Sequence, residues 1–230
     1  MKRLADQALT LNLIMSELKE MDLSESPVIK IAFLRNVTVE PIKPYIEYFM
    51  GKMGLKAELF FADYDNIMQE VLNPQSELYN FSPDIIILAS KLEKLSADLV
   101  YNHASLDPNS LEDHKSTIVG TYEQIFTSIR ENSSATIFFH NFETPLAPSL
   151  GVLDTQMISG QVNLVRRLNM ELVDTASKFS DCYIIDVDLI QSKVGVEQYF
   201  DRRYWHIGKA PYSKNAYPLI AKEYSNRVIC

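Results

Sequence analysis

The sequence predicts an α/β fold, a three-layer sandwich with a five-stranded parallel sheet in order 2-1-3-4-5 between two layers of helices. Three observations predict it. Short runs of β-branched and aromatic residues are apolar throughout rather than alternating, as in strands buried on both faces. Amphipathic stretches of helical length separate them, so strand and helix alternate in βαβ fashion. No repeat, low-complexity tract or interdomain linker interrupts the alternation.

In chain order, residues 1–24 carry Leu4, Leu9, Leu13, Met15 and Leu18 at helical spacing, which predicts an N-terminal helical extension outside the sheet. Residues 25–230 are expected to form a single α/β domain. Its first strand, 28–34, is announced by Pro27, and a helix over 42–53 ends near Gly54, a natural C-cap. The second strand spans 57–62, and a helix over 64–72 stops before Asn73 and Pro74. Ser82 and Pro83 favour extended backbone ahead of the third strand, 84–89. A helix over 114–131 leads to the fourth strand, 135–140. The next helix, 156–179, places Val162, Val165, Leu168, Leu172 and Ala176 on one face. The fifth strand is 182–187 and a last helix covers 213–226. Tyr48, Phe49, Phe60 and Phe61 are expected to pack in the core or between helices.

Of the 230 residues, 47% are hydrophobic and 23% charged, enough apolar surface to offset the ordering entropy that keeps disordered chains unfolded. Lys and Arg number 22 against 30 Asp and Glu, a net charge of -8, which argues against nucleic acid or an anionic membrane as partner. No apolar run is long enough to span a bilayer. Asp6 follows the positive Lys2 and Arg3 with no continuous apolar stretch after it, so no secretory signal is expected. Two cysteines, Cys182 and Cys230, are too few for a disulfide scaffold, and the expected setting is cytoplasmic.

In open parallel sheets ligands bind at the carboxyl ends of the strands. That directs attention to four loops: 35–41, 90–95, 141–150 and 200–213. Phosphate cradles are absent there: none of the 7 glycines lies in the first loop, and neither Gly-rich nucleotide motif occurs. His103, His114, His140 and His206 do not fall at metal-ligand spacing, so no metal site is expected. Asp186 and Asp188 close the fifth strand in a pattern resembling the Asp-x-Asp start of haloacid dehalogenase-type phosphatases. Ile190 departs from that motif, and a polar strand end capping the next helix is the favoured reading.

The first and last loops resemble another group. In SGNH (GDSL-type) hydrolases the first strand delivers Gly-Asp-Ser-x-Thr, and Asp-x-x-His precedes the final helix. Here Arg35 and Asn36 stand at the Asp and Ser positions, Asp201 precedes the last helix, Tyr204 takes the histidine's place and His206 lies two residues on. A carboxamide is not activated as a nucleophile by a base. Residues Phe33 to Pro41, Asn141 to Pro145, and Asp201, Trp205 and Lys209 to Ser213 together resemble the N-terminal SGNH-like domain of FkbH-like proteins, over roughly residues 28–226.

That resemblance implies an SGNH/flavodoxin-like fold and a haloacid dehalogenase-type domain following it. It also implies an enzyme that loads a glyceryl group, derived from a phosphorylated glycerate, onto an acyl carrier protein. Any magnesium would belong to the adjoining domain, with no cofactor in this one. Asn36, Asp201 and His206 are the catalytic candidates, Asn36 as an N–H donor to a carbonyl or oxyanion. Candidate contacts to a small anionic or acyl ligand are Arg35, Thr38, Asn141, Glu143, Arg202, Trp205, Lys209 and Ser213. Arg35 either meets a phosphate or carboxylate or pairs internally with Asp201, Glu143 or Glu40. Thr38 is a helix cap on the simpler reading. Arg35, Asn36, Asn141, Glu143 and Asp201 are expected to converge, with Arg35, Arg202, Arg203 and Lys209 forming a basic rim.

Two classes compete: an acyltransferase or hydrolase using SGNH geometry without its serine, and a non-catalytic module that binds a ligand, a carrier protein or the adjoining phosphatase-like domain. No Ser-His-Asp set occupies the matching positions, and Cys182 starts its strand at the wrong end of the sheet. The binding module is therefore favoured.

Overall fold

A computed structural model describes residues 10–228 of the chain. Strands β1 (Val28–Arg35), β2 (Lys56–Phe61), β3 (Ile85–Ala89), β4 (Thr136–His140) and β5 (Cys182–Ile185) form one 5-stranded parallel sheet in order β2-β1-β3-β4-β5. This is the sheet the apolar runs predict. Side chains alternate across a strand, and here both faces are buried. Ile31 and Phe33 of β1, Ile85 and Ile87 of β3 and Phe138 of β4 face one helical layer. Ala32 and Leu34, Ile86 and Leu88, and Ile137 and Phe139 face the other.

The first layer contains α1 (Leu11–Glu20), α2 (Lys43–Lys52), α9 (Val187–Val194) and α12 (Ala216–Val228). The second contains α3 (Ile67–Leu72), α4 (Glu77–Phe81), α5 (Leu92–Leu95), α6 (Ala97–Tyr101), α7 (Pro108–Asn132) and α8 (Gln161–Ala176). Among the described residues no helix is long and apolar enough to cross a membrane.

Several boundaries differ from the sequence reading, each for a local reason. The expected 1–24 helix is seen as α1, capped by Thr10, whose hydroxyl accepts the Leu13 N–H. It packs on α2 through Ile14 and Leu18, one turn apart, while Leu13 and Met15 are exposed. Leu4 and Leu9 lie outside the described residues, as does Cys230. Helix α7 starts well before 114, because Asp107 accepts the N–H groups of Asn109 (2.9 Å) and Ser110 (3.1 Å), with Pro108 in the first turn.

Helix α8 starts five residues later than expected, at Gln161. The preceding Gly151–Gln156 is a 3-10 turn that folds the fully buried Asp154 back under the helix. Its carboxylate accepts the N–H groups of Gln161 (3.0 Å) and Val162 (2.8 Å). Gly160 makes this fold-back possible, since a Cβ there would lie 1.8 Å from the Asp154 carbonyl oxygen. Gly160→Ala is expected to lower stability by about 2 kcal/mol in urea denaturation, because backbone must move to admit the methyl group. Gly120→Ala is the control: it lies within α7 with nothing within 4 Å of the added Cβ. That change should raise stability by up to about 1 kcal/mol.

Candidate functional site

The carboxyl edge of the sheet is built around a buried ion pair that the sequence does not advertise. Arg35 pairs with Ala89 in the β1–β3 register, and His140 with Ile185 in the β4–β5 register. Two residues past Ala89 stands Lys91. Its Nζ donates to Glu143 Oε1 at 2.5 Å, with the two side chains 11% and 9% exposed. Rings from α10 (Val196–Tyr199) and the bridge that follows it surround the ammonium: Tyr199, Phe200 and Tyr212 at 5.6, 5.8 and 5.3 Å.

Tyr199 also donates its hydroxyl to Glu143 Oε1 at 2.8 Å. Burial pushes the Glu143 carboxyl up, but Lys91, by charge and hydrogen bond, together with Tyr199 outweighs it and holds the group below its ordinary value. Behind the pair His140 is fully buried, its Nδ1 3.1 Å from the Tyr212 hydroxyl and its Nε2 2.5 Å from that of Tyr224. Burial pushes the imidazole down to about 4, so it is neutral near pH 7.

Asn36, at the exit of β1, is 1% exposed. Its Oδ1 accepts the Lys91 backbone N–H at 2.9 Å, while its Nδ2 is buried without a hydrogen-bond partner. Asn36 and Glu143 are thus joined through Lys91. The other residues expected to converge are engaged elsewhere. Arg35 pairs with Glu40 rather than Asp201 or Glu143, and gives a second bond to the Val37 carbonyl; its Nε is buried and unpartnered.

Asn141 accepts the N–H of Val187 (2.7 Å) and gives its amide to Asp186 (2.8 Å), both at the start of α9. Asp186 also accepts the Leu189 N–H, so this strand end is a helix cap, as the favoured reading had it. Asp201 caps α11 (Arg202–Gly208), accepting the Tyr204 N–H at 3.0 Å. The physical reason is common to both. A short polar side chain just ahead of a helix has unsatisfied N–H groups within reach.

Thr38 is a clamp rather than a cap on the next helix. Its hydroxyl donates to the Gly208 carbonyl (2.5 Å) and its N–H to the Lys209 carbonyl (2.9 Å), fastening the end of α11 to the β1 exit. Ser213 donates to the Gln198 carbonyl at 2.5 Å. Trp205 is buried against Phe200, and Lys209 lies 5.0 Å from its ring. Arg202, Arg203 and His206 are exposed on α11, and the His206 ring makes no hydrogen bond to a described residue. Of the expected basic rim, Arg35 is therefore buried and paired, leaving Arg202, Arg203 and Lys209 at the surface. Sequence reasoning missed Lys91, Tyr199, Tyr212 and Tyr224. It also missed a serine–histidine contact, Ser96 Oγ to His114 Nδ1 at 3.1 Å, with Asp98 3.9 Å from the other ring nitrogen. Ser96 is 8% exposed and caps α6.

Lys91 and Glu143 form part of the wall of an open cleft of about 370 Å³, together with Glu93, Tyr101, Leu146 and Phe200. A cavity of similar size, about 380 Å³, lies among Asp84, Asp181 and Arg227 at the amino ends of the strands. The carboxyl-edge cleft is the better candidate, because strand carboxyl ends are where such sheets bind ligands and the buried Lys91–Glu143 pair forms part of its wall. Among the described residues no group of 3 or more His, Cys, Asp and Glu side chains is arranged to hold a metal ion.

A family model described as "FkbH, N-terminal domain" matches residues 30–229. No curated protein matches. Among solved structures the chain is similar to the N-terminal part of the protein BF1531 from Bacteroides fragilis, described as containing a phosphatase domain and complexed with Mg. That similarity has 19% identity and a TM-score of 0.76, covering 91% of this chain and 54% of the other, so this chain spans about half of that structure. It is also similar to the acetyl xylan esterase AlAXEase, with 12% identity and a TM-score of 0.53, covering 87% of this chain and 100% of the other. The acetylxylan esterase Axe2 from Geobacillus stearothermophilus gives 7% identity and a TM-score of 0.55, covering 88% and 95%. At these identities the three structures show a common fold.

Proposed function

The chain belongs to the family of FkbH N-terminal domains, and from that premise we propose that it is a non-catalytic docking and binding module. In this reading it works beside a phosphatase-like domain, in a cytoplasmic enzyme that loads a glyceryl group onto an acyl carrier protein. The observation that carries the reading is at the β1 exit. Where the SGNH pattern has its nucleophilic serine, Asn36 is buried and bonded to the Lys91 N–H. The neighbouring hydroxyls of Thr38 and Ser213 donate to carbonyls instead of facing a base. Asp186, engaged at the start of α9, likewise makes a poor phosphatase nucleophile. In this reading any magnesium belongs to the neighbouring phosphatase-like domain.

A p-nitrophenyl acyl ester assay tests the catalytic half of this reading. The expected rate is that of buffer alone. Hydrolysis that disappears in Asn36→Ala or Asp201→Ala would make the domain an esterase or acyltransferase. The docking half rests on α11. The net charge of -8 opposes non-specific attraction to an acidic carrier protein, so recognition has to come from a local basic patch. Arg202, Arg203 and Lys209 supply one at the surface.

Titration with a carrier protein, free and glyceryl-loaded, should show saturable binding that weakens about tenfold in Arg202→Glu/Arg203→Glu, the order expected for rim charges. Unchanged binding in that variant would remove the basic patch from the reading. If no carrier binds while a separately added phosphatase-like domain does, the module docks that domain and leaves carrier recognition to it.

A further inference from the structure

One exposed hydroxyl in the loop between β4 and α8 faces a base. Ser149 stands just ahead of the turn Gly151–Gln156 and is exposed. Its Oγ lies 3.1 Å from Nδ1 of His103, which opens the 3-10 turn His103–Ser105 after α6 and is 2% exposed. A serine open to solvent and bonded to a buried imidazole has the geometry of an activated nucleophile. Ser96, which also meets a histidine, lacks it. That residue is 8% exposed, and its oxygen accepts the Leu99 N–H as a helix cap.

The surroundings of the pair suit acyl chemistry. Burial holds the His103 imidazole below its ordinary value, so it is a neutral base near pH 7. The Asp154 carboxylate and the Ser159 backbone favour the charged ring that forms when it takes a proton. Its Nε2 is buried with no partner in hydrogen-bonding geometry, which confines proton exchange to Nδ1, the nitrogen that Ser149 covers. The N–H of Leu150 donates to no described residue, and the N–H that follows a nucleophile is a natural oxyanion donor. There is room for an acyl donor as well. The Ser149 N–H donates to Gln161 (3.2 Å), a wall residue of the Lys91 cleft, and Leu146 and Ala147 of the same loop line that cleft. Val152 and Leu153, just past the serine, are 87% and 55% exposed and offer apolar surface to an acyl chain.

We propose that Ser149, with His103 as its base, is a nucleophile that takes an acyl group from an activated ester or thioester and holds it as an acyl-serine. The Oγ–C bond forms as the acyl carbon's bond to the leaving oxygen or sulfur breaks. The hydroxyl proton passes to His103 Nδ1 and from there to the leaving group. Water needs a base to attack the adduct, and the acyl group closes the one approach to a ring with almost no exposure of its own. A thiol is partly ionised near neutral pH without help, so the acyl group passes to a thiolate rather than to water. This covalent step goes beyond the docking reading and does not use α11.

Reaction of the whole chain with p-nitrophenyl acetate, followed by mass spectrometry, tests it. The expected result is a burst of one p-nitrophenol per chain and then the buffer rate, with a single acetyl group mapped to Ser149 and removed by N-acetylcysteamine. Ser149→Ala should abolish the burst without moving the thermal midpoint, because the residue is exposed. His103→Gln should slow it by roughly a hundredfold, the low end of general-base catalysis. Should that variant fail to fold, Ser149→Cys asks the same question of the intact pair. Its thiol should alkylate with iodoacetamide about tenfold faster than that of Ser177→Cys, an exposed serine with no histidine bonded to it. Acetyl groups on lysines with none on Ser149 would overturn the proposal, as would a burst that survives Ser149→Ala, an adduct that the thiol leaves in place, or equal alkylation of the two cysteines. Steady turnover removed by Ser149→Ala would overturn the stable adduct. Carrier binding in Ser149→Ala should equal that of the wild type, so failure of this site and failure of the docking reading are read separately.

Discussion

Lys91→Met is expected to destabilise the fold by about 4 kcal/mol, read as a fall in the urea midpoint with an unchanged slope. The residue is 9% exposed, and its ammonium lies against the Glu143 carboxylate within three aromatic rings. Removing it leaves the Glu143 carboxyl buried without its counter-charge, held by the Tyr199 hydroxyl and its own backbone N–H. Much of the loss is therefore the cost of an unpaired buried charge rather than the worth of the pair. The double variant Lys91→Met/Glu143→Leu separates the two, since apolar replacement of a whole buried pair is often neutral. It should recover most of what the single change removes. A single-variant loss below about 1 kcal/mol, the range of exposed ion pairs, would show that water reaches the pair and that it does not organise the sheet edge.

The sheet was legible because burial on both faces removes ambiguity. Runs such as Ile85 to Ala89 have no polar side to place, so strand and parallel pairing follow together. Helix starts were harder wherever the capping residue lies apart from the periodic stretch. Asp107 preceding Pro108 was a readable signal for α7. The fold-back of Asp154 beneath α8 was not, because it depends on a close backbone approach at Gly160 that only coordinates reveal. Helix α11 lay hidden in a loop rich in charges, although Asp201 ahead of it had the chemistry of a cap.

The site was legible to the level of loops and not to the level of partners. All four loops chosen at the carboxyl edge contribute to it, and Asn36 and Glu143 do meet, but through Lys91, whose importance no spacing marks. A lysine in a polar loop reads as solvated; it becomes buried here because Tyr199, Phe200 and Tyr212 arrive from more than 100 residues away. Conversely, Asn141 and Asp201 looked like ligand contacts because amides and carboxylates serve ligands and helix ends equally well. What separates the uses is whether a free N–H lies within reach, a fact of three-dimensional placement. Arg35 illustrates the same limit, since three acidic partners were open to it and the nearest in sequence, Glu40, is the one it meets.

The stability of the fold is expected to fall by about 3 kcal/mol as pH drops from 6.5 to 4, because of His140. The sign follows from burial. The imidazole has no solvent exposure, is bonded to two tyrosine hydroxyls, and is held down from 6.5 to about 4. Between those values the unfolded chain takes up a proton that the folded one refuses, so the stabilisation is complete above pH 6.5 and is lost on acidification toward 4. His103, also pushed down by burial, adds to the slope in the same direction. Glu47, raised by burial, works against it just above the ordinary carboxylate range. Glu143, held below its ordinary value, contributes only once pH falls into the ordinary carboxylate range, where the unfolded chain's carboxyl takes up a proton and the folded one does not. Urea denaturation at pH 7.5, 6.5, 5.5 and 4.5 resolves these ranges. His140→Gln keeps a hydrogen-bonding group between Tyr212 and Tyr224 but does not titrate, so it should remove most of the slope between pH 6.5 and 4.5 and leave the small remainder from His103. A wild-type stability that is flat from pH 7.5 to 4.5 would mean that His140 exchanges its proton in the folded state at its ordinary pKa, and that the tyrosine enclosure around it is open to water.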